Sequence, residues 1–235
     1  MLGKKIDIVI PAHNEDLNLK FLLPKIIRII KLNKLYKFRL ILIDDNSTDE
    51  TSHVIKNFKK KNDFIKLIKN ERKSGQTICY KKYLLKFNSD YFIRIDADNQ
   101  DNPKYLKKTI NLIKNNFDII MGKRTIRKHS LSMIFLTFLY DNLIFFFIKK
   151  KLKTYSSSLV CFNRFFISAQ NLKFNDHRYL PLIAINNGAK KIKIFNTIHQ
   201  KRKFGKSKYK IINKILSGLP EFLFFYYRMR RGDFN

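Results

Sequence analysis

The sequence has 235 residues, with 49 Lys and Arg against 18 Asp and Glu, a formal charge of +31 and no Trp. Its length suits one domain, or one domain with a modest appendage, and its 45% hydrophobic residues, seven Gly and five Pro exclude a disordered tail, a collagen and a disulfide scaffold. Charge of this sign and size calls for an anionic partner: nucleic acid, a phosphate-bearing substrate or an acidic membrane surface.

Ile6, Ile8, Val9 and Ile10 predict a first strand, and Leu17 to Leu32 repeats apolar residues at helical spacing. Leu40 to Ile43 predicts a second strand, stopped by Asp44-Asp45-Asn46-Ser47-Thr48-Asp49. A helix over roughly Glu50 to Phe58 follows, with Ser47, Thr48 or Asp49 available as its N-cap. Phe64 to Ile68 reads as a third strand, Thr77 to Lys86 as a helix, and Tyr91 to Ile95 as a fourth strand ending at Asp96. Asn102-Pro103 opens a helix to about Lys114, and Asp118 to Met121 is a fifth strand. Strand and helix alternating in this way predict an α/β, doubly wound, mainly parallel sheet, whose ligands bind beyond the carboxyl ends of the strands.

The second half is less regular. Met133 to Ile148 is an apolar segment followed by Lys149-Lys150-Lys151, and Ile211 to Met229 is aromatic and aliphatic, closed by Arg228, Arg230 and Arg231. Both fall short of a confident transmembrane helix of roughly 20 residues. They suit either the membrane interface, with cations beside anionic headgroups, or a buried core or oligomer contact. The expected division is a domain over 1–210, itself split near 122 into two halves, and a basic, amphipathic segment over 211–235. Ile6 to Pro11 lacks the pattern of a signal peptide. Cys79 and Cys161 sit in apolar stretches without metal-ligand spacing and read as buried free thiols of a reducing compartment. These features predict a protein that stays in the cytosol or is peripheral to the cytoplasmic face of a membrane.

Part of the charge has a bland source: 37 of the 49 cations are Lys, in a chain crowded with Asn, Ile and Phe, residues with A/T-rich codons. Drift does not explain the distribution, since residues 1–118 carry 25 basic and 14 acidic residues and 119–235 carry 24 and 4.

The sharpest local signal is Asp96-Ala97-Asp98-Asn99-Gln100-Asp101-Asn102-Pro103 at the end of a predicted strand. Alternation in an extended segment would put Asp96, Asp98 and Gln100 on one side. Three converging oxygen ligands suit a hard divalent cation that also takes phosphate oxygens; the bland alternative is an Asx-rich turn and helix cap. In the loop after the second strand one acid is needed for capping, which leaves a second carboxylate to accept hydrogen bonds from a ligand. A third polar loop, Pro11-Ala12-His13-Asn14-Glu15, follows the first strand.

These three segments, in this order, resemble the signature of glycosyltransferase family 2, with the GT-A fold. Lys73-Ser74-Gly75-Gln76-Thr77 resembles the Gly-Gln-Thr loop of the dolichol-phosphate mannosyltransferase-like branch, and Gly122-Lys123-Arg124-Thr125-Ile126-Arg127 resembles its Gly-x-Arg-x-x-Arg stretch. His177-Arg178-Tyr179-Leu180-Pro181 and Arg202-Lys203-Phe204-Gly205-Lys206-Ser207-Lys208-Tyr209 are similar to two further segments of that branch. His13 stands where the first motif usually has an aromatic residue, and the segment from Tyr155 to Arg164 lacks the branch's Gly-Phe-Lys/Arg core.

The resemblance implies a nucleotide-sugar donor, UDP- or GDP-hexose, across the strand ends. Pro11, Ala12, Asn14 and Glu15 would line the nucleoside pocket, with Asp44, Gly75 and Gln76 nearby and Asp45 on the base. Asp96 would sit near the ribose and diphosphate, and Asp98 and Gln100, with Asp96, would hold Mg2+ or Mn2+. Arg124 and Arg127 would face the anionic acceptor or the diphosphate, and Arg202 and Lys208 would close over the site. The acceptor is argued from an absence: residues 119–235 hold only Asp141, Asp176, Glu221 and Asp233 as acids. A sugar hydroxyl usually needs a carboxylate base, whereas a phosphate is already ionised. Polyprenyl phosphate is therefore the expected acceptor of an inverting hexosyl transfer. A lipopolysaccharide or surface-glycan hydroxyl is the alternative, with Asp176 as its possible base. A nucleic-acid-binding role leaves the acidic loops unexplained, so nucleic acid is not an expected partner; a second copy or a membrane-anchoring protein is.

Overall fold

The computed structural model describes residues 3–124, 142, 145–147, 158–198, 200 and 211–234. Seven strands form one sheet: β1 (Lys5–Ala12), β2 (Lys37–Asp44), β3 (Ile65–Lys69), β4 (Tyr91–Arg94), β5 (Ile119–Arg124), β6 (Val160–Asn163) and β7 (Ile192–Thr197), in the spatial order β3-β2-β1-β4-β6-β5-β7. All neighbours are parallel except those of β6, which runs antiparallel between β4 and β5. α1 (Asp16–Leu32), α2 (Thr51–Lys60), α3 (Gly75–Lys86) and α4 (Pro103–Ile113) each follow one of the first four strands. α5 (Leu180–Asn186) precedes β7, and α6 (Ile211–Arg230) comes last.

Side chains alternate across the strands and so divide into two cores. Ile6, Ile8 and Ile10 of β1, Leu40 and Leu42 of β2, and Ile93 of β4 pack with α1, α2 and α4. Val9, Ile41, Ile43 and Phe92 face the other way, towards α3, α5 and α6. A sheet covered on both faces explains why its strands read as near-continuous apolar runs. Asp7 breaks that pattern at a fully buried position, where Arg39 meets it with two hydrogen bonds of 2.7 and 2.8 Å and the Tyr83 hydroxyl donates a third at 3.0 Å. Both thiols are buried and free, Cys79 on one face and Cys161 on the other.

Three sequence expectations change. β4 stops at Arg94, one residue short of Ile95, and the chain turns at Ala97 and Asp98 with Asn99 in the left-handed region (φ 58°), which Asn tolerates. α3 begins at Gly75, two residues early. β6 and β7 were not anticipated in the second half. The 211–229 segment forms α6, which lays Phe222, Phe225 and Met229 into the core, with Phe225 stacked on Tyr179 at 4.4 Å. Leu219, Leu223, Phe224 and Tyr227 stay exposed on its outer side. Of the 133–148 segment, only Asn142 and Phe145–147 are described, and Phe147 packs on Phe222 and Tyr226. No helix among the described residues is long and apolar enough to cross a membrane.

Candidate functional site

From β1 the chain runs outwards through β2 to β3, then returns to add β4 on the other side of β1. The crevice between the carboxyl ends of β1 and β4 is therefore the topological switch point, where open α/β sheets bind ligands. Pro11 and Ala12 end β1, Asp44 ends β2 beside Ala12, and Asp96 follows β4.

The loops after β1 and β2 are sewn together. The Asn14 backbone N–H donates to Ser47 Oγ at 3.0 Å, Asn14 Nδ2 to Thr48 Oγ1 at 3.1 Å, and the Thr48 N–H to Asn14 Oδ1 at 2.8 Å. The Glu15 N–H donates to Thr51 Oγ1 at 2.8 Å, while the Glu15 carboxylate accepts Asn18 Nδ2 at 2.6 Å. Burial works to raise the Asp49 pKa, but hydrogen bonds from Thr51 and Asp16 hold it below the ordinary value. The amide of Asn14, expected against a nucleoside, thus closes on Thr48.

The two adjacent aspartates diverge. Asp44 is fully buried; its Oδ1 accepts the Ser47 N–H at 2.9 Å and its Oδ2 has no hydrogen-bond partner. Asp45 gathers the third loop: Oδ1 accepts Asn70 Nδ2 at 2.7 Å and the Ser74 N–H at 2.8 Å, and Oδ2 accepts the Gly75 N–H at 2.8 Å. Gly75 turns into α3 with φ +81°, a conformation costly for a side chain, although a Cβ there would meet no atom within 4 Å. Asp45 therefore orients the Ser74-Gly75 loop at the start of α3, and Gln76 lies exposed just beyond it. Charge-assisted bonds to backbone N–H groups are strong and directional, so this carboxylate fixes the loop's geometry.

The next turn of α3 is held from the other half of the chain. Thr77 Oγ1 and His177 Nδ1 share a hydrogen bond of 2.7 Å, and buried Arg94, at the end of β4, donates to the His177 carbonyl. Burial, then the positive charges of Arg94 and Arg178, keep the His177 pKa well below its usual value, so the ring is neutral near pH 7. The Arg94 guanidinium lies 5.9 Å from the Tyr80 ring centroid. Sequence reasoning gave Arg94 no role; its signal was a lone cation in an otherwise apolar strand.

In the acidic turn, Asp98 is buried and its Oδ1 accepts the Gln100 N–H at 3.2 Å. Gln100 is pinned to Gln200: the Gln200 N–H donates to the Gln100 carbonyl at 2.9 Å, and Gln100 Nε2 donates to the Gln200 carbonyl at 3.1 Å. Ser158 Oγ donates to buried Asp101, and Asn102 caps α4 by accepting the Lys104 N–H at 3.0 Å. Asp96, Asp98 and Gln100 thus share one compact turn, not the same side of an extended strand. No group of three or more His, Cys, Asp or Glu among the described residues is arranged to hold a metal ion.

Asp176 is placed otherwise than expected of a base. Its Oδ2 accepts Arg228 Nη1 at 2.8 Å and the Lys173 N–H at 2.7 Å, with both ion-pair partners almost wholly buried. Burial raises its pKa, partly offset by these bonds. Glu221 takes Arg178 Nη1 and Asn175 Nδ2, each at 2.8 Å, and Asp233 takes Arg228 Nε at 3.3 Å. Asp176 and Glu221 therefore tie α6 to the 171–178 stretch, while Asp233 closes the residues after α6 back onto Arg228. The side chain of Arg124, together with Arg127, Arg202 and Lys208, lies outside the described residues.

Comparison with known proteins agrees with this geometry. Residues 7–174 match the family described as Glycosyl transferase family 2. An undecaprenyl-phosphate 4-deoxy-4-formamido-L-arabinose transferase of Photorhabdus laumondii is 26% identical over 214 residues, 90% of this chain and 65% of that protein. A protein of the same name from Yersinia pestis is 25% identical over 214 residues, 90% of this chain and 64% of its own. The chain thus spans just under two thirds of the length of these relatives. Among solved structures, mannosyl-3-phosphoglycerate synthase from Rubrobacter xylanophilus superposes with a TM-score of 0.65 at 14% identity, covering 93% of this chain and 73% of that one. Glucosyl-3-phosphoglycerate synthase from Mycobacterium tuberculosis, in complex with Mn2+, UDP and glucosyl-3-phosphoglycerate, gives 0.61 at 17% identity, covering 85% and 73%. Likeness at such identities bears on the fold, which is the expected GT-A arrangement. With the family match running over more than half its length, this chain belongs to glycosyltransferase family 2.

Proposed function

We propose that the protein transfers a hexose, with inversion, from a UDP- or GDP-sugar to polyprenyl phosphate at the cytoplasmic face of a membrane, assisted by a divalent cation. The observation that carries this reading is the crevice between β1 and β4, where the Asp45-ordered Gly75 loop and the Asp96–Gln100 turn meet the interlocked loops after β1 and β2. Pro11, Ala12, Asn14 and Glu15 would bound the nucleoside side of the crevice, and Gly75 and Gln76 its opposite edge. Asp45 would act on the donor mainly by holding the Ser74-Gly75 backbone in place.

The acidic turn fits a hard cation by the chemistry of its donors. Asp96, Asp98 and Gln100 offer oxygen ligands only, and so few of them that the remaining positions would fall to phosphate oxygens and water, as Mg2+ and Mn2+ sites favour. A bound cation would neutralise charge on the departing diphosphate. The Gln100–Gln200 hydrogen bonds hold one side of that turn still. Arg124, Arg127, Arg202 and Lys208 are proposed to contact the phosphates.

The acceptor reading is supported by how the acids of the second half are used. Asp176, Glu221 and Asp233 each pair with an arginine, and Asp141 lies outside the described residues. Asp176 is therefore withdrawn as a base, and a phosphate nucleophile, already ionised, needs none. A transfer assay with several labelled nucleotide sugars, onto polyprenyl phosphate and lipid-free sugars in parallel, tests this reading. Transfer to the lipid phosphate alone, abolished by Asp98→Asn with the fold retained, is the expected result; transfer only to free sugars would overturn the acceptor, and full activity of the variant the cation site.

A further inference from the structure

A cleft of about 570 Å³ lies between α1 and the start of α4. Lys25 and Arg28 of α1 and Lys104 and Lys107 of α4 line it, with Ile29 in the wall and Gln200 at the edge. All four cations are exposed, and no described carboxylate lies within ion-pair distance of any of them. By contrast Arg39, Arg178 and Arg228 each have an acid.

This arrangement works against the fold. Lys25 with Arg28, and Lys104 with Lys107, are like-charge pairs three residues apart on their helices, which destabilises each helix. Lys104 and Lys107 also place positive charge in the first turns of α4, the end where the helix dipole already favours anions. Two helices thus bring to one cleft four cations that no described carboxylate neutralises, Lys104 lying 5.0 Å from the Tyr105 ring centroid, and an anion seated there would relieve both penalties. The volume falls in the range of small-ligand pockets, more than a lone inorganic ion requires. Arg28 supplies a planar fork and the three lysines flexible point charges, a set suited to phosphate oxygens. The stems of these side chains, with Ile29, give the wall an apolar part.

We infer that this cleft binds a phosphate-bearing anion, a soluble diphosphate or the headgroup of an anionic phospholipid, through cations that the proposed donor and cation sites do not use. Gln200 joins the cleft to the acidic turn through its two hydrogen bonds with Gln100, so an occupant sits against the support of the proposed cation site. The assignment does not depend on glycosyl transfer.

The test uses the full chain in metal-free buffer with a chelator, so that the acidic turn cannot recruit phosphate through a cation. One arm titrates inorganic pyrophosphate by calorimetry; the other measures co-sedimentation with phosphatidylcholine vesicles with and without phosphatidylglycerol. Lys104→Glu with Lys107→Glu is compared with Lys59→Glu and Lys60→Glu, an equal change of charge at the exposed end of α2. The expected result is binding in at least one arm, weakened about tenfold or more by the cleft variant and less than about twofold by the control. The arm that responds identifies the source of the phosphate. The cleft variant should melt no lower than the parent, since it puts acids at a helix start and opposite Lys25 and Arg28, which outweighs the like-charge pair it keeps on α4. Absence of binding in both arms, equal weakening by both variants, or a lower melting temperature of the cleft variant would each overturn the assignment.

Discussion

Asp45, in the amino-terminal half, and Asp176, in the carboxy-terminal half, are both buried aspartates, but their partners differ in kind. Asp45 accepts N–H groups from Asn70, Ser74 and Gly75, all neutral donors on the loop it orders. Asp176 faces the guanidinium of Arg228, which is equally buried, also meets Asp233 and the Asn171 carbonyl, and lies against the Phe224 and Phe234 rings. In the first region a carboxylate shapes a loop, and two of its three donors, the Ser74 and Gly75 N–H groups, belong to residues near enough to the surface to turn to water. In the second it neutralises a cation that could not. Losing the first should damage binding more than folding, and losing the second should damage folding first.

The largest effect expected is therefore on Asp176→Ala, which leaves Arg228 buried with a single, longer ion pair and should cost about 3–5 kcal/mol in chemical denaturation. Replacing Asp176 with Leu and Arg228 with Met together should recover most of that loss; an equally unstable double variant would mean the pair is not the source. Asp45→Ala should cost less, about 2 kcal/mol, while nucleotide-sugar affinity measured by calorimetry falls further than stability does. If stability falls as far as for Asp176→Ala, the contrast between the two regions fails.

Gly75→Ala sharpens the first side of the contrast. Since a new Cβ meets nothing within 4 Å, the whole cost is that of holding φ at +81°, about 1–2 kcal/mol for an L-residue. Asn at the same position should cost less than Ala, and the same cost for both would point to a clash instead. The smallest effect is a pH dependence at the seam between the regions. The pKa of His177 is depressed in the folded state, so the unfolded chain binds the proton first as pH falls below about 6.5, and stability declines. Stability is fully present above that value and should drop by about 1 kcal/mol between pH 7 and 5.5. His177→Asn should remove this slope, and comparing the two proteins subtracts Asp176, whose raised pKa acts in the opposite sense.

The fold was most legible where strand and helix each bury a full face. Ile6 to Ile10 and Leu40 to Ile43 are runs no surface segment would carry, and the polar loops after them mark the site directly. β6 was illegible because Val160–Asn163 is four residues long and owes its existence to partners on both sides, β4 and β5, far away in sequence. The acidic turn was legible as chemistry but not as geometry: the chain turns at Ala97 and Asp98, and Asn99 takes a left-handed backbone, which alternation along an extended strand does not foresee. The contact between Thr77 and His177 spans 100 residues, and Asp176 looked like a base because its cation lies 52 residues later. Motifs locate such side chains; only packing tells which are already engaged.

The two buried thiols can serve as clocks. Burial, aided by Asp45, pushes Cys79 up to about 12, and burial raises Cys161 as well, so neither is a ready nucleophile while the protein is closed. Cys79 sits under the α3, α5 and α6 face and Cys161 under the α1, α2 and α4 face. A thiol reagent added to the native protein can therefore modify each only when its own side of the sheet opens. Peptide mapping of the labelled chain would time the two openings separately, with no residue introduced.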